Sequence, residues 1–375
     1  MDLDLSPDQD LFVKTTRRFL QSASPLTHVR DLHERGVSFE RDYWRKGAEL
    51  GWTAMLVPRA MGGGSVSGDG LLDLALVAEE MGRLVAPGPL LPVNVVLDTL
   101  VRTGSAARWD HVVAPLMAGD AVATWAIDEG SGSWEAPGVH LQARKDGTDW
   151  VLNGTKSFVQ EADDADWLLV TARTGTGLTQ FLVPRSTEGV AASPRRSIDL
   201  VRRFGDVSFT QARLPASSVV GAVEGAADDV QRQLEVALVL QNAETMGAVD
   251  RVLAFTLEYA DDRIAFGRPI ASYQALKHRF ADMKTWLEAC HGTATASARA
   301  VATGADNAAE LVSVATSYIA DRAPLIVQDC VQVHGGIGVT WEHDLHLYLR
   351  RVTQNTMLLG SARQHRERLA VLLGM

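Results

Sequence analysis

The sequence predicts an α+β fold that is mainly α, with a small β-domain between two helical domains. Three observations support this prediction. Apolar residues follow a helical period over residues 1–118, a period of two over 119–226, and a helical period again over 227–375. We therefore expect an N-terminal helical domain, a middle β-domain and a C-terminal four-helix bundle, with boundaries at these positions.

The composition is that of an ordinary globular protein. The chain has 375 residues, of which 46% are hydrophobic and 22% are charged, enough for two or three domains with a sizeable core. A formal net charge of -10, a pI near 5.5 and the lack of a long Lys/Arg cluster argue against a nucleic-acid partner.

The N-terminal segment, the lack of a long apolar run and the cysteines predict a cytoplasmic protein without a membrane partner. The segment 1–5 is acidic where a signal peptide would be basic, and no apolar run is long enough to span a bilayer. Cys290 and Cys330 lie in apolar helical patterns and are expected to be reduced core residues. His343 and His346 lack the cysteines or carboxylates that a metal geometry needs, so we expect no metal site.

The N-terminal domain begins with a strong helix signal. Ser6 is a suitable N-cap, Pro7 fits the first helical position, and Gln9 completes a capping box. Helical spacing recurs up to Gly51 and again over 71–84.

In the middle domain, residues 139–144 and 150–154 alternate in polarity on either side of an Asp-Gly turn at 146–147, which predicts a β-hairpin. Two further short apolar strands are expected at 167–172 and 180–184.

The C-terminal domain is predicted to contain four helices. The first runs from about 228 to Arg263, the third covers about 307–333, and the fourth takes up the C-terminal segment. The second should bury one apolar stripe formed by Tyr273, Leu276, Phe280, Met283, Leu287 and Cys290.

Two motifs stand out in this domain. In the first, Arg263 precedes Phe266 by three residues and Gln274 by eleven. The second is the run 332–338, which reads Gln-Val-His-Gly-Gly-Ile-Gly. Together they resemble the C-terminal half of the acyl-CoA dehydrogenase family, and the order of the three domains extends this resemblance over nearly the whole chain.

The resemblance implies FAD as the cofactor, with its adenine end shared across a subunit interface. The segment with Arg263, Phe266 and Gln274 is similar to the family segment that holds the FAD pyrophosphate and adenosine, and a guanidinium fork suits phosphate oxygens. A helix-capping role for Arg263 is the alternative.

The glycine-rich run is similar to the family loop that lies against the adenine and pyrophosphate of the partner's FAD. Its members are Gln332, Val333, His334, Gly335 and Gly336. Glycines let the backbone approach a ligand closely. A bare glycine run is more often an ordinary loop, which is the alternative here.

The β-domain departs from the family pattern. Gly132 and Ser133 are present, but Trp134 stands where the family has an aspartate. Phe158 and Gln160 occupy positions where the family usually has tryptophan and threonine. The resemblance therefore does not support a flavin-ring site built from this chain's own β-domain.

The catalytic base is the largest departure. Leu359 precedes Gly360 where most of the family places a glutamate, and Ala237 occupies the alternative base position on the first bundle helix. An aliphatic side chain cannot accept the α-proton of a thioester. Glu244 is the remaining candidate base, and Glu235 is a less favoured one. A structural polar contact is nevertheless the favoured role for Glu244.

The chain thus keeps the residues that would contact a partner's FAD but lacks the usual catalytic base. This combination resembles the base-lacking subunits of actinobacterial α2β2 steroid acyl-CoA dehydrogenases. It implies a paralogous catalytic subunit, an acyl-CoA substrate with a bulky, steroid side chain, and an electron-transfer flavoprotein as partners. Two alternatives remain open. One is a homotetrameric dehydrogenase with Glu244 as a displaced base, and the other is a flavin-free structural or regulatory paralogue.

Overall fold

A computed structural model describes residues 5–375, so most of the acidic segment at 1–5 lies outside the described residues. The predicted fold class is confirmed: a helical domain, a β-domain and a second helical domain follow one another along the chain. Helices end at Ala118, strands begin at Ala123, and helices resume at Ala227.

The N-terminal domain starts as predicted. The Ser6 Oγ accepts a hydrogen bond from the Gln9 amide at 3.2 Å, and the Gln9 side chain accepts one from the Ser6 amide at 3.1 Å. The third helix ends before Gly51, which follows at a φ of 97°. The helices are α1 (Pro7–Ala23), α2 (Leu26–Arg35), α3 (Arg41–Glu49), α4 (Gly70–Arg83), α5 (Leu90–Arg102) and α6 (Asp110–Ala118).

The β-domain is one mainly antiparallel sheet in the order β6-β7-β3-β2-β4-β5-β8, with β1 pairing to β4. The predicted hairpin is confirmed, since Asp146 pairs with Asp149 across a turn in which Gly147 has a φ of 64°. The strands are β1 (Ala123–Ala126), β2 (Gln142–Asp146), β3 (Asp149–Gln160), β4 (Trp167–Thr174), β5 (Gly177–Pro184), β6 (Val190–Arg195), β7 (Phe204–Leu214) and β8 (Val219–Val220).

The C-terminal domain differs from the prediction in one respect: its last segment forms two helices instead of one. The break lies at Leu359 and Gly360, whose φ values of 60° and 105° are incompatible with an α-helix. Ser361 then caps the last helix. The elements are α7 (Ala227–Asp262), β9 (Ile264–Ala265), β10 (Arg268–Pro269), α8 (Gln274–Thr303), α9 (Ala308–His334), α10 (Leu345–Asn355) and α11 (Ala362–Leu372).

The apolar stripe on α8 is buried only in part. Met283, Leu287 and Cys290 are buried, whereas Tyr273, Leu276 and Phe280 are half-buried. The stripe therefore runs beyond the area that the other helices of this chain cover. Cys290 and Cys330 are buried free thiols, as predicted, and burial raises the pKa of each to about 12.

A crossing of α4 over α7 fixes the N-terminal domain to the bundle. A Cβ on Gly82 would lie 1.9 Å from the Glu244 carbonyl oxygen, and one on Gly247 would lie 1.8 Å from the Glu79 carbonyl oxygen. The two helix backbones are thus in direct contact, which only glycine allows.

Candidate functional site

The position expected for the catalytic base lies in the turn between α10 and α11. Leu359 is buried, and its carbonyl oxygen lies 3.0 Å from the His365 Nε2. A Cβ on Gly360 would lie 2.9 Å from the same nitrogen, and its φ of 105° also favours glycine here. Ala237, at the alternative base position, is buried in α7. Neither side chain has an atom that can accept a proton.

The cavity in front of Leu359, here called the inner chamber, is almost closed. Its volume is about 30 Å³, far below the roughly 300 Å³ at which ligand pockets begin. A second gap beside it, reaching Glu244, measures about 20 Å³. The inner chamber is lined by Leu91, Pro92, Trp125, Trp134, Phe158, Gln160, Arg202, Phe204, Gln241, Leu358 and Leu359.

Aromatic packing closes the inner chamber. Trp134 is buried against Trp125, with ring centroids 5.9 Å apart. Phe158 is covered on one face by Arg195, whose guanidinium carbon lies 4.4 Å from the ring centroid. Arg195 is held there by Asp206 at 2.5 Å. Trp134 and Phe158, which stand in segments that the resemblance places at the flavin, thus contact Trp125 and Arg195 of this chain.

An open groove, here called the outer groove, starts on the other side of Leu359 and has a volume of about 680 Å³. Gly132, Ser133 and Trp134 form one wall, and α11 forms another. Within it Arg368 contacts Glu135 at 3.0 Å.

His365 also lines the outer groove, where burial lowers the pKa of the imidazole to about 4. His365 is therefore neutral at physiological pH, and it supports the Leu359 turn by donating to its carbonyl oxygen.

Glu244 lies in a buried network of charges. Arg202 and Arg351 both bind its carboxylate, the second at 2.8 Å, and the Asn355 amide donates to it at 3.0 Å. Burial alone would raise the pKa of Glu244, but the two arginines outweigh it and hold the pKa below its ordinary value. A carboxylate held by two guanidinium groups is a weak base, so the structure gives Glu244 a structural role. Glu235 is bound by Gln231 at 2.5 Å.

The first motif lies at the far end of the bundle, where α7 ends. Arg263 follows α7 and is exposed, and no ion pair to it is found within residues 5–375. Phe266 and Gly267 form the tip of the β9–β10 hairpin, and Phe266 is 98% exposed. Gln274 opens α8 and is exposed as well. Three side chains that could contact a ligand are thus presented outward.

The second motif ends α9 at the same end of the bundle. Gln332, Gly335 and Gly336 are exposed, Val333 is half-buried and His334 is buried. Gly335 has a φ of 64°, and Cβ atoms on either glycine would meet no described atom within 4 Å. A ligand can therefore approach the backbone closely at these two glycines, although the Gly335 amide itself donates to carbonyl oxygens of α9.

A ring stack joins the two motifs. Tyr259, one turn before the end of α7, stacks on His334 with centroids 4.3 Å apart, and its carbonyl oxygen accepts the Arg263 amide at 2.8 Å. The His334 Nδ1 lies 2.9 Å from the Cys330 carbonyl oxygen. His334 thus supports the turn from inside and does not face outward. Sequence reasoning missed Tyr259, although its position four residues before Arg263 places it on the same helix face.

The residues present fit FAD unequally at the two ends. The bundle end offers an exposed guanidinium, an exposed amide side chain and open glycine backbone, which suit a pyrophosphate. The inner chamber, with a volume of about 30 Å³, is too small for a flavin ring.

Within the part of the chain that the structure describes, no helix is long and apolar enough to cross a membrane. The same residues contain no group of three His, Cys, Asp or Glu side chains that could hold a metal ion.

Comparisons with known proteins agree with the three-domain order. The acyl-CoA dehydrogenase N-terminal, middle and C-terminal domain models match residues 6–120, 124–212 and 227–373. The acyl-CoA dehydrogenase IpdE2 of Mycolicibacterium smegmatis is 30% identical over 97% of this chain and 98% of that protein.

Two solved structures are similar over nearly their whole length. The ChsE4-ChsE5 complex from Mycobacterium tuberculosis contains a chain with a TM-score of 0.90 and 28% identity, covering 100% of this chain and 99% of that one. A variant of the Tcur3481-Tcur3483 steroid ACAD gives a TM-score of 0.88 and 27% identity, with coverage of 98% and 97%. This chain belongs to the acyl-CoA dehydrogenase family.

Proposed function

We propose that this chain is the base-lacking subunit of a heteromeric, FAD-dependent acyl-CoA dehydrogenase and completes the FAD site of a paralogous catalytic subunit. The observation that carries the proposal is Leu359 at the base position in front of an inner chamber of only about 30 Å³. The family consists of FAD-dependent oxidoreductases that act on CH–CH bonds.

The chemistry requires groups that this chain lacks. Oxidation of an acyl thioester removes the α-proton to a base and the β-hydrogen as hydride, and FAD, when bound, accepts the hydride. Leu359 cannot take the proton, and Glu244 is held by Arg202 and Arg351. A paralogous subunit would therefore supply the base and the chamber for the acyl chain.

The bundle end supports a role in a partner's cofactor site. Arg263 would grip the pyrophosphate, while Gly335 and Gly336 would let the backbone approach the adenine end. The surrounding surface is apolar, since Phe266 is 98% exposed and Val339 is 72% exposed. Exposed apolar side chains of this kind are typical of protein interfaces. Contact with a second subunit would bury them together with the half-buried stripe on α8.

The names of similar proteins support the proposed substrate class and the proposed assembly. Two of the solved structures are named as pairs of different chains, and one of these is named as a steroid ACAD. We infer an α2β2 complex that oxidises a steroid side-chain CoA thioester. An electron-transfer flavoprotein as the electron acceptor follows from the family resemblance.

Co-expression tests the proposal. This chain is purified alone and together with a paralogue that carries the glutamate, and flavin absorbance and dye reduction with a steroid-CoA thioester are measured. We expect a colourless chain alone and a yellow, active complex together. A yellow and active homo-oligomer would favour the displaced-base alternative, and a complex without flavin would favour the structural paralogue.

A further inference from the structure

A third cavity lies at the seam between the N-terminal domain and the β-domain, and we call it the seam cleft. It has a volume of about 330 Å³ and shares no lining residue with the inner chamber or the outer groove. Its walls come from the start of α6, from β4 and β5, and from the segment that follows β7. Clefts between domains are frequent sites for small molecules.

Aromatic rings form one side of the seam cleft. Trp109 and Trp167 meet edge to face with centroids 5.9 Å apart, and the His111 ring lies 5.5 Å from Trp109 and 6.1 Å from Trp167. Pro184 and Pro215 add apolar surface. Ring faces and aliphatic groups in this arrangement suit a flat aromatic molecule.

The charged groups of the seam cleft are all basic. Arg108 and Arg213 belong to the lining, whereas no aspartate or glutamate does among residues 5–375. Arg108 is exposed, with its guanidinium carbon 5.7 Å from the Trp109 ring centroid. One of its nitrogens donates to the Val219 carbonyl oxygen, which leaves its other N–H groups for a ligand.

Arg213 is paired with Asp146 and Asp149 outside the cleft, but it is 57% exposed. Exposed ion pairs are weak, so a bound anion can compete for this guanidinium. Trp109 is only 8% exposed, and its indole N–H has no acceptor within the described part of the chain.

We propose that the seam cleft binds a planar aromatic molecule that carries an anionic oxygen group, a carboxylate or a phosphate. The ring packs against Trp109 and Trp167, and the anion is bound by Arg108 and Arg213. The volume is at the lower end of ligand pockets, so it takes one or two fused rings and excludes CoA or a dinucleotide. The site is separate from the acyl-CoA chemistry proposed above.

Isothermal titration calorimetry tests this proposal on the co-purified complex. The probes are 2-naphthoate, 2-naphthyl phosphate and the neutral 2-naphthamide. We expect at least one anion to bind about tenfold more tightly than the amide, because a charge-assisted contact is lost in the amide. The tighter of the two anions identifies the oxygen group.

Variants locate the binding. Arg108→Gln removes the charge at an exposed position, and Trp167→Leu removes one ring face, so each should weaken the anion about five- to tenfold. Arg144→Gln, an exposed arginine on β2 outside the lining, serves as the matched control and should bind as wild type. The proposal is overturned if neither anion binds, if the amide binds equally well, or if a folded Arg108→Gln complex keeps wild-type affinity.

Discussion

At the scale of single residues, the proposed shared cofactor site depends most on Arg263. This arginine is exposed and has no ion pair within residues 5–375, so its removal leaves the fold intact. Arg263→Ala should lower the FAD content of the assembled complex, because the pyrophosphate loses a charge-assisted hydrogen bond of about 1.5–3 kcal/mol, or roughly 10- to 100-fold in affinity. Absorbance at the flavin band per complex measures the effect, with exposed Arg18→Ala as the control. Equal flavin content in both variants would refute the role.

The buried carboxyl of Glu161 should make the stability of the fold depend on pH. Burial raises the pKa of its carboxyl to about 8, from an ordinary value of 4.5, and both carboxyl oxygens lack a hydrogen-bond donor among the described residues. The folded chain therefore holds a proton that the unfolded chain releases above pH 4.5. Stability is lost as the pH rises from about 5 to 8, by about 1.4 kcal/mol per pH unit.

Glu161→Gln removes this titration, so its stability relative to wild type should increase between pH 5.5 and pH 8. Urea unfolding at both pH values measures the difference. The exposed Glu34→Gln is the control and should show no such gain. A pH-independent difference for Glu161→Gln would mean that the carboxyl is ionised in the fold.

At the scale of secondary-structure elements, glycines serve two opposite purposes. In the crossing of α4 over α7, a Cβ on Gly247 would lie 1.8 Å from the Glu79 carbonyl oxygen, and backbone cannot move aside as a side chain can. In the turn after α9, a Cβ on Gly336 meets no described atom within 4 Å, and the residue does not need a left-handed backbone. The first glycine is therefore required by packing within this chain, whereas the second is not.

Gly336→Val should leave the melting temperature of the isolated chain within about 1 °C, since surface changes are usually within ±0.5 kcal/mol. The FAD content of the complex should fall, because the side chain would occupy the space through which the backbone meets the cofactor. Thermal unfolding of the chain and flavin absorbance of the complex are measured side by side. Loss of chain stability with normal flavin content would make Gly336 a turn residue only.

Most helices and strands could be predicted from local sequence signals. Features that depend on long-range contacts could not. The capping box of Ser6 and Gln9 and the turn at Gly147 act within four residues, so the sequence shows them directly. The break at Leu359 depends on a positive φ that leucine rarely adopts, and a periodic pattern does not reveal it.

The candidate site could also be predicted only in part. The outward-facing Arg263 and Gly336 belong to recognisable motifs. The packing of Trp134 on Trp125 arises only when the loop that follows β1 folds back on that strand. This packing leaves little space in the inner chamber, and the sequence does not show it. The arginine partners of Glu244 lie 42 and 107 residues away in sequence, so its ion pairs were not visible before the fold was known.

At the scale of the whole molecule, the network around Glu244 connects all three domains. Arg351 on α10 binds Glu244 on α7 and Asp199 in the β6–β7 loop of the β-domain, and it also lies 3.3 Å from the Ala86 carbonyl oxygen of the N-terminal domain. Burial would raise the pKa values of both carboxyls, but the arginines hold them below their ordinary values. Their contribution to stability is thus present above the unfolded pKa near 4 and is lost as the pH falls.

Glu244→Gln should therefore destabilise the complex by about 3–5 kcal/mol, because the buried Arg202 loses its counter-charge and Arg351 is left with Asp199 alone. The same variant should keep acyl-CoA oxidation within a few-fold of wild type at a temperature where it remains folded, whereas loss of a true base costs about 100-fold or more. Urea unfolding and steady-state dye reduction are the two measurements. A collapse of turnover in a folded complex would place the base on this chain.

The proposed division of labour between two unlike chains would fix the number of cofactors. Each copy of this chain would offer one bundle end for the adenine half of FAD, while its own inner chamber of about 30 Å³ has no room for the flavin ring. A complex with equal numbers of the two subunits should therefore contain one FAD for every two chains. Flavin released by denaturation, measured against subunit content by amino-acid analysis, gives this ratio. In the same complex, replacing the partner's glutamate by glutamine should abolish turnover without changing the flavin ratio. One FAD for every chain would contradict this, because it would mean that the chamber opens in the assembly and that this chain holds a flavin ring of its own.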